Sequence, residues 1–355
     1  MNILIVRLGA LGDVVHAVPA AAALRKAFPA AGIDWLVDAR HRAIVDLVTT
    51  VDRAIPLESP TLAGWTAVLR VLRRTSYDVA IDLQGLMKSA VLARASGAAR
   101  VVGFSIWHLR EKTARPFYSD AHDAEGGHVI RKNLRLLRAL DVEDDEIRFP
   151  LADVPSPALD TLRERIPAGR RFALINAGAA WPNKRWPPGR FGEVAAFLDD
   201  ACGLTPVVLW GPGEQGLADA VIAASSNTAI AAPSTGVADL VALTRASALV
   251  ISGDTGPLHI ATAVGTPTVS IFGPTDPDRN GPHAPGDLVV SRFETCGCHY
   301  DRRCHEPVWC LGAVTVAEVC AAVQRRLATH STGSVRLLER GSLGEGGQAE
   351  GDPGD

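Results

Sequence analysis

The sequence has few of the features that mark membrane, secreted or nucleic-acid-binding proteins. No apolar run among its 355 residues reaches the roughly 18–20 residues that a membrane-spanning helix needs. The start, Met1 to Arg7, lacks the basic region and cleavage site of a secretion signal, and six cysteines are too few for a disulfide scaffold of this length. The net charge of −3, from 36 basic and 39 acidic residues, gives no overall field that attracts nucleic acid. What remains is a globular chain, 47% hydrophobic and 21% charged, with length for about two domains.

Lysine is scarce among the basic residues. The chain has 31 arginines and only five lysines, and Lys184 is the only lysine in its C-terminal half. An ammonium group binds anions as a compact point charge, unlike the planar guanidinium of arginine. This single lysine is therefore a candidate for a specific role.

The N-terminal half alternates short apolar runs with segments of helical periodicity. The runs predict strands at residues 2–6, 33–37, 53–57, 78–83 and 99–104, and the first helical segment extends to about Phe28. Because each strand is apolar on both faces, we predict a parallel sheet with helices on both sides.

The same alternation starts again after a loop-rich junction. Residues 141–157 contain six acidic residues and three prolines, a composition typical of a linker. Strands are then predicted at 171–176, 205–210, 248–252 and 268–272, and a last helix at about 315–329. We therefore predict two doubly wound α/β domains, residues 1–155 and 165–330, with the active site in the cleft between them. Residues 331–355 are rich in Gly, Glu and Ser and are predicted to be disordered.

The turn after the first strand contains Gly9, Gly12 and Asp13. Ligands of such sheets bind at the carboxyl ends of the strands, but a dinucleotide site would need G-x-G-x-x-G and only G-x-x-G is present. Two interpretations of Asp13 stay open. It is either an acid that caps the first helical turn or a carboxylate that faces the cleft as a general base.

The most informative segment follows the predicted strand 248–252. Asp254, Thr255 and Gly256 precede Pro257, a residue that suits the first turn of a helix, and His259 lies in that helix. Backbone N–H groups at a helix N-terminus bind phosphate without a cationic side chain. The turn is therefore a candidate phosphate site, with an ordinary helix cap as the alternative.

Two more loops of the C-terminal half follow predicted strands. Lys184 and Arg185 lie after strand 171–176, where a cation could neutralise a departing diphosphate; a solvated basic loop is the alternative. Glu214 follows strand 205–210, where it could accept hydrogen bonds from ribose hydroxyls or cap a helix.

No metal site or cofactor site is predicted. The C-x-C-x5-C-x5-C spacing of four cysteines does not match the paired C-x2-C pattern of zinc sites, so reduced loop thiols are favoured over a structural metal or a disulfide. These cysteines are Cys296, Cys298, Cys304 and Cys310. A D-x-D pattern at Asp276 and Asp278 lies between two segments rich in Gly and Pro and is interpreted as a turn.

Taken together, these segments resemble glycosyltransferase family 9, the ADP-heptose:lipopolysaccharide heptosyltransferases of Gram-negative bacteria. The matching segments are residues 5–14 (IVRLGALGDV), 181–187 (WPNKRWP), 252–263 (SGDTGPLHIATA) and 272–277 (FGPTDP). They occur in the family's order and cover roughly residues 1–330. The second and fourth segments favour a resemblance to the type I enzyme.

The resemblance implies a GT-B fold, in which the N-terminal domain binds the acceptor and the C-terminal domain binds the nucleotide sugar. The implied reaction is the inverting transfer of a heptose from ADP-heptose to the Kdo and inner core of a lipid A-linked saccharide. Asp13 would be the general base, while Lys184 and the amides of Thr255 and Gly256 would hold the diphosphate. The other implied substrate contacts are Gly12 in the first turn, Asp254 on the sugar or fixing its loop, His259 at the phosphate end and Glu214 on the ribose. No metal or cofactor is required if Lys184 and a helix dipole balance the phosphate charge.

A lipid-anchored, anionic acceptor further implies a cytoplasmic protein with possible peripheral contact with the inner membrane. Arg70, Arg73, Arg74 and the basic stretch 107–115 could contact an acidic membrane face or the acceptor. Ordinary solvated helix faces are the alternative. No nucleic-acid partner is expected.

Other functions stay open from the sequence alone. Type II heptosyltransferases and other nucleotide-sugar transferases share most of these motifs. A Rossmann-type dehydrogenase would use Asp38 at the end of the second strand, but its glycine fingerprint is missing. A protein that binds a nucleotide or saccharide without turnover would not need both Asp13 and Lys184.

Overall fold

The chain forms two parallel sheets with the same connectivity, one from each half. A computed structural model describes the backbone of residues 1–341 and the side chains of residues 1–329. The strand orders are β3-β2-β1-β4-β5-β6 and β12-β11-β10-β7-β8-β9, and neighbouring strands within each sheet are parallel. If β7 is matched with β1, the two orders become identical, and both are the doubly wound order that binds ligands at the carboxyl ends of its strands. The predicted pair of doubly wound α/β domains is confirmed.

The N-terminal domain follows the predicted alternation closely. Its strands are β1 Asn2–Val6, β2 Gly32–Asp38, β3 Arg53–Leu57, β4 Val79–Asp82, β5 Arg100–Phe104 and β6 Asp120–His122. Its helices are α1 Leu11–Val15, α2 Val18–Ala27, α3 Arg42–Val45, α4 Leu62–Leu72, α5 Met87–Ala95 and α6 Val129–Leu136. The side chains of β1 from Ile3 to Val6 are all fully buried, because helices cover both faces of the sheet.

The C-terminal domain repeats this arrangement. Its strands are β7 Arg171–Asn176, β8 Leu204–Leu209, β9 Ile230–Ala231, β10 Leu249–Gly253, β11 Thr268–Phe272 and β12 Leu288–Ser291. Its helices are α7 Pro157–Arg165, α8 Pro188–Cys202, α9 Gln215–Ala224, α10 Val237–Ala246, α11 Gly256–Ala263, α12 Pro277–Asn280 and α13 Val316–Gly341. Two apolar cores, one centred on Trp186 and Phe191 and the other on Leu162 and Leu174, pack around its sheet.

The structure differs from the predictions at several boundaries. The helix predicted to run unbroken to Phe28 is split into α1 and α2, since Pro19 in the first turn of α2 has no N–H for a continuous helix. Helix α7 contributes Leu162 to the C-terminal core, so that core extends upstream of residue 165. Helix α13 continues to Gly341, so the first eleven residues of the predicted disordered tail are helical, in keeping with the strong helix formers Leu337, Leu338 and Glu339. The rest of that predicted tail, residues 342–355, lies outside the described residues.

The two domains are in contact through helices at the carboxyl ends of their sheets. Helix α1 packs against α11, and α3 packs against α10. Val241 and Ile260 of the C-terminal half belong to the apolar core of the N-terminal domain. This contact brings the turn after β1 next to the turn after β10. Within the described residues, no helix is long and apolar enough to cross a bilayer.

Candidate active site between the two domains

Glycines allow helices α1 and α11 to meet at close range. A Cβ atom on Gly12 would lie 2.1 Å from His259 Cδ2, and one on Gly256 would lie 2.7 Å from Leu11 Cδ2. A side chain at Gly12 would overlap the His259 ring, and one at Gly256 would require the Leu11 side chain to move. The N-terminal ends of α1 and α11, with their positive dipole ends, therefore lie side by side at the domain interface. Gly12 and Gly256 were predicted as substrate contacts. In the structure they allow the close approach of α1 and α11.

Asp13 lies in the first turn of α1, next to this interface. Its Oδ2 accepts a hydrogen bond from the Ala10 backbone N–H at 3.2 Å, and its Oδ1 pairs with Arg7 Nη2 at 2.8 Å. The carboxylate side chain is still 42% exposed, so it keeps room for another partner. The capping interpretation of Asp13 therefore fits the structure, and the exposed part of the carboxylate leaves its role as a general base a prediction.

Arg7 orients that carboxylate, a role that the sequence interpretation missed. Its side chain is 8% exposed, and its Nη1 donates a hydrogen bond to the Leu83 carbonyl at the end of the neighbouring strand. Because the Leu83 carbonyl holds this buried guanidinium in place, the guanidinium in turn fixes the position of the Asp13 carboxylate. Its place directly after an apolar strand, six residues before Asp13, was the available signal.

Asp254 is the centre of a buried hydrogen-bond cluster at the end of β10. Its side chain is 5% exposed, and four side chains from separate segments contact it. Lys184 Nζ and Thr275 Oγ1 donate to Oδ2 at 2.5 and 2.7 Å, and Asn280 Nδ2 donates to Oδ1 at 2.8 Å. His259 Nε2 lies 3.2 Å from Oδ1.

The charge state of this cluster follows from its contacts. Burial alone would raise the pKa of Asp254, but the hydrogen bond from His259 and the charge of Lys184 outweigh burial and hold the pKa well below its usual range. Asp254 is therefore ionised, and its contacts fit the predicted role of fixing the loop better than a direct bond to the sugar.

Lys184 lies beside the α11 turn, as predicted. Its side chain is 15% exposed, and Nζ lies 4.5 Å from the ring centre of Trp181. Its backbone carbonyl would lie 3.1 Å from a Cβ on Gly253. The ammonium group is therefore fixed at the mouth of the turn 254–256. The aromatic face and the Asp254 carboxylate limit its freedom, so it is a pre-organised cation.

Thr255 is the N-cap residue of α11. Within the described part of the chain its side chain makes no cap hydrogen bond to the first helical turn. Instead, Oγ1 accepts from Asn176 Nδ2 at 2.9 Å and lies 3.0 Å from Ser252 Oγ. The threonine side chain thus turns toward the strand ends, and the first-turn N–H groups of α11 are left for a ligand.

Three histidines connect the two domains beneath this turn. The ring centres of His16 and His259 are 4.3 Å apart, and those of His16 and His128 are 5.4 Å apart. Burial lowers the pKa of both His16 and His128. His128 Nδ1 accepts from the Ile130 N–H, so Nε2 carries the proton that is donated to the Gly281 carbonyl, 2.8 Å away in the other domain. His128 was not predicted, and its distance of 153 residues from Gly281 explains why.

Glu214 lies at the carboxyl end of β8, close to the end of β7. Its Oε2 accepts from the Gly211 N–H at 3.2 Å, and Oε1 lies 3.9 Å from Arg185 Nη2. A Cβ on Gly178 would lie 2.2 Å from Oε2, so the glycine makes room for this carboxylate. The side chain is 23% exposed, and its oxygens can accept further hydrogen bonds.

The four clustered cysteines lie in the loop before α13. All are free thiols, and Cys298 Sγ lies 3.5 Å from Cys304 Sγ. Among the described residues, no three His, Cys, Asp or Glu side chains are arranged to hold a metal ion. In the D-x-D pattern, Asp276 caps α12 by accepting from the Asp278 N–H at 2.9 Å, so the segment interpreted as a turn is a short helix with its cap.

The sequence is similar to that of known heptosyltransferases. The profile of glycosyltransferase family 9 (heptosyltransferase) matches residues 65–310. Lipopolysaccharide heptosyltransferase 1 of Pseudomonas aeruginosa is 29% identical over 320 residues, covering 86% of this chain and 87% of the relative. The enzyme of the same name from Escherichia coli K12 is 26% identical over 302 residues, covering 81% of this chain and 93% of the relative.

Solved structures establish the fold. The E. coli heptosyltransferase WaaC with ADP superposes with a TM-score of 0.75 at 23% identity, covering 92% of this chain and all of that one. A family 9 glycosyltransferase from Veillonella parvula superposes with a TM-score of 0.79 at 22% identity, covering 92% and 97%. The two doubly wound domains and their cleft are thus a GT-B fold, and the chain belongs to glycosyltransferase family 9.

Proposed function

We propose that this glycosyltransferase moves a heptose from ADP-heptose to the Kdo residue of a lipid A-linked inner core, with inversion at the anomeric carbon. One observation supports the proposal most directly. Asp13 lies on α1, and the adjacent Leu11 and Gly12 contact α11. The turn that precedes α11 contains the Asp254 carboxylate, which pairs with Lys184. The relatives named lipopolysaccharide heptosyltransferase 1 support the donor and the acceptor.

Asp13 is the general base of this reaction. An inverting displacement needs a group that accepts the acceptor hydroxyl proton as the oxygen attacks the anomeric carbon. The exposed side of the Asp13 carboxylate is open to that hydroxyl, while Arg7 holds the other side at 2.8 Å. The new C–O bond forms on the face opposite the diphosphate, the bond to the β-phosphate oxygen breaks, and the proton stays on Asp13.

The C-terminal domain stabilises the departing ADP. As the anomeric bond breaks, negative charge grows on the β-phosphate, and the N–H groups of Thr255 and Gly256 with the positive end of α11 are aimed at it. Lys184 adds a cation whose position is fixed by Asp254, and His259 supports that carboxylate from the opposite side. Glu214 accepts hydrogen bonds from the ribose hydroxyls.

The acceptor brings the enzyme to the cytoplasmic face of the inner membrane, where we place it as a peripheral protein. The loop after β5 supports this position, since the Trp107 side chain is 81% exposed and Ile106 is 40% exposed. Arg110 and Lys112 follow in the same segment. Aromatic and basic side chains together suit an anionic lipid surface.

The Asp13→Asn variant tests the assignment of the base. It keeps the size of the side chain and one acceptor oxygen for Ala10 N–H, but it cannot take the proton. We expect ADP release from ADP-heptose and a Kdo-bearing acceptor to fall by more than about 100-fold, while calorimetric affinity for ADP-heptose stays within about twofold.

Asp46→Asn is the matched control, because Asp46 is an exposed carboxylate directly after α3 that pairs with Arg42 at 3.1 Å. The turnover of this variant stays that of the wild type. A wild-type protein that binds ADP-heptose without releasing ADP would refute the transferase in favour of a binding protein. Faster turnover with UDP- or GDP-sugars in a donor panel would refute the adenine nucleotide donor.

A further inference from the structure

Lys132, one of the five lysines, is held in the cleft without an acidic partner. Its Nζ donates to the His108 carbonyl at 2.6 Å and lies 4.6 Å from the ring centre of Phe104, the last residue of β5. None of the ion pairs among the described residues includes Lys132. The surroundings of Lys132 therefore provide a hydrogen-bond acceptor and an aromatic ring, but no described carboxylate forms an ion pair with its ammonium group.

Positive charges from both domains surround this ammonium group. Burial, then the charge of Arg279 and the charge of Arg7, lower the pKa of Lys132 to about 8. Arg7 is already paired with Asp13. Arg279 comes from α12 of the other domain, which packs against α6, and its Cζ lies 5.8 Å from the Tyr300 ring centre. Like charges from both domains thus act on this ammonium group, and an anion bound next to it would lower the electrostatic energy.

The position of this cluster is set by the same contact that joins the domains. His128, four residues before Lys132 on the same end of α6, donates to the Gly281 carbonyl two residues after Arg279. Arg7 connects the cluster to the catalytic carboxylate, because it pairs with Asp13 and its charge also acts on Lys132. An anion at Lys132 and Arg279 is thus close to the hydroxyl that Asp13 deprotonates.

We propose that Lys132 and Arg279 bind the carboxylate of the acidic sugar that carries the attacking hydroxyl, and so select an acidic acceptor. This inference rests on the proposed function and adds two specificity-determining residues to it. A sugar acid has its carboxylate and its hydroxyls on one ring, so a cation beside the base recognises both at once. An ammonium and a guanidinium from opposite domains bind that carboxylate only when the cleft is assembled around the acceptor.

Two acceptors and two variants test this proposal. The acceptors are a Kdo-bearing saccharide with its free carboxylate and the same saccharide as its methyl ester. Loss of one charge-assisted hydrogen bond corresponds to about 10- to 100-fold in kcat/KM. For the wild type we expect that loss on esterification. The Lys132→Met variant, which keeps the apolar stem over Phe104, loses about as much with the free acid and then differs by less than about threefold between acid and ester.

The Lys132→Arg variant keeps the charge and retains most of the preference for the free acid. The matched control is Lys88→Met, because Lys88 is an exposed lysine of α5; it behaves as the wild type with both acceptors. The KM for ADP-heptose stays within about twofold in every variant. A Lys132→Met protein that still distinguishes acid from ester overturns the proposal, and so does a change in donor KM, which would assign the cations to the diphosphate.

The pH dependence gives a second readout. Lys132 binds the carboxylate as an ammonium ion, and with its pKa near 8 it loses that charge as the pH rises through this value. The acceptor KM of the wild type therefore rises above about pH 8, whereas that of Lys132→Arg does not. The charged groups that act on Lys132 are Arg279 and Arg7. Burial keeps the pKa of His128, four residues before it, below its ordinary value, so His128 does not titrate in this range.

Failure of the proposed function looks different from failure of this inference. If wild-type protein releases no ADP with either acceptor, the transferase assignment is wrong. Saturation-transfer NMR with Kdo alone then still tests the anion site, since binding that Lys132→Met abolishes supports it. Equal binding by wild type and variant overturns it.

Discussion

The two halves of the molecule place a buried aspartate at nearly the same point of the same topology, in opposite electrostatic settings. Asp82 ends β4 and Asp254 follows β10, the strands that occupy equivalent places beside β1 and β7. Asp82 is fully buried and accepts only from neutral groups: the Ser89 and Tyr118 hydroxyls and the N–H groups of residues 84 and 85. Asp254 accepts from an ammonium group as well.

This difference separates a structural carboxylate from one that organises the proposed diphosphate site. Burial raises the pKa of Asp82, and its four hydrogen bonds offset only part of that effect. The pKa of Asp254 is lowered, since His259 and Lys184 outweigh burial. The N-terminal aspartate only ties loops together, whereas the C-terminal one fixes a cation next to a helix N-terminus. One topology thus gives a structural carboxylate in one half and, in the other, a carboxylate paired with a cation.

Replacing the two aspartates by asparagine gives the largest expected effects. Asp254→Asn leaves the Lys184 ammonium group buried without its counter-ion, and we expect a loss of about 3–5 kcal/mol of unfolding free energy at pH 7, together with weaker ADP binding. Asp82→Asn keeps acceptors for the two N–H groups, and the hydroxyls can reorient, so we expect only about 1–2 kcal/mol. Urea denaturation and calorimetry with ADP measure both.

The pH dependences of these losses have opposite signs. The lowered pKa of Asp254 contributes stability that is present above the unfolded-state pKa near 4 and is lost as the pH falls toward the folded-state pKa, so the wild type loses its advantage over Asp254→Asn in acid. The raised pKa of Asp82 means that the folded protein binds this proton more tightly. The wild type therefore gains on Asp82→Asn as the pH falls through the raised pKa toward 4. Parallel slopes for the two variants would contradict the comparison.

The candidate residues of the C-terminal half could be grouped from the sequence more completely than the others, for a physical reason. Asp254, Thr255 and His259 lie in one continuous turn, and Lys184 lies in the next loop on the same sheet edge, so strand ends alone bring them together. Asp13 was proposed in the same way, from its place in the turn after β1. Its partner Arg7 went unnoticed because its contact with the Leu83 carbonyl crosses to another strand.

Residues from α6 and α12 could not be predicted, since their contacts depend on how the domains pack. His128 and Lys132 lie on an amphipathic helix far in the chain from Gly281 and Arg279. Only the scarcity of lysine marked Lys132, as it marked Lys184. The edge strands β6, β9 and β12 were missed for another reason: they have two to four residues and mostly half-buried side chains, so they lack the apolar runs of central strands.

The Gly12→Ala substitution is expected to have an intermediate effect on stability and activity, because it changes the contact between the two halves. Its Cβ would lie 2.1 Å from His259 Cδ2, so Gly12→Ala pushes α1 away from α11 and moves Asp13 relative to the diphosphate turn. We expect about 1–3 kcal/mol of lost stability and a larger fall in kcat than in ADP affinity, measured by denaturation and by ADP release.

The control for Gly12 is Gly189→Ala in α8, where an added Cβ meets nothing within 4 Å. Alanine is the better helix former, so this variant gains up to about 1 kcal/mol and keeps its turnover. If Gly12→Ala retained full activity, the spacing of the two helices would not be what joins the base to the donor site.

The two halves also differ in their exposed apolar side chains, and substitutions of these side chains are expected to change the stability least. Trp107 of the N-terminal half is 81% exposed and Val308 of the C-terminal half is 75% exposed, so Trp107→Ser and Val308→Ser each change the unfolding free energy by no more than about 0.5 kcal/mol. If only the acceptor half meets the membrane, Trp107→Ser weakens binding to anionic vesicles at low salt by about tenfold, while Val308→Ser binds as the wild type does. Neither variant changes turnover of a water-soluble Kdo-bearing acceptor, because neither side chain belongs to the cleft chemistry. Equal losses of vesicle binding for the two variants would mean that the C-terminal half also contacts the bilayer. The two halves would then differ only in the groups that they contribute to the cleft.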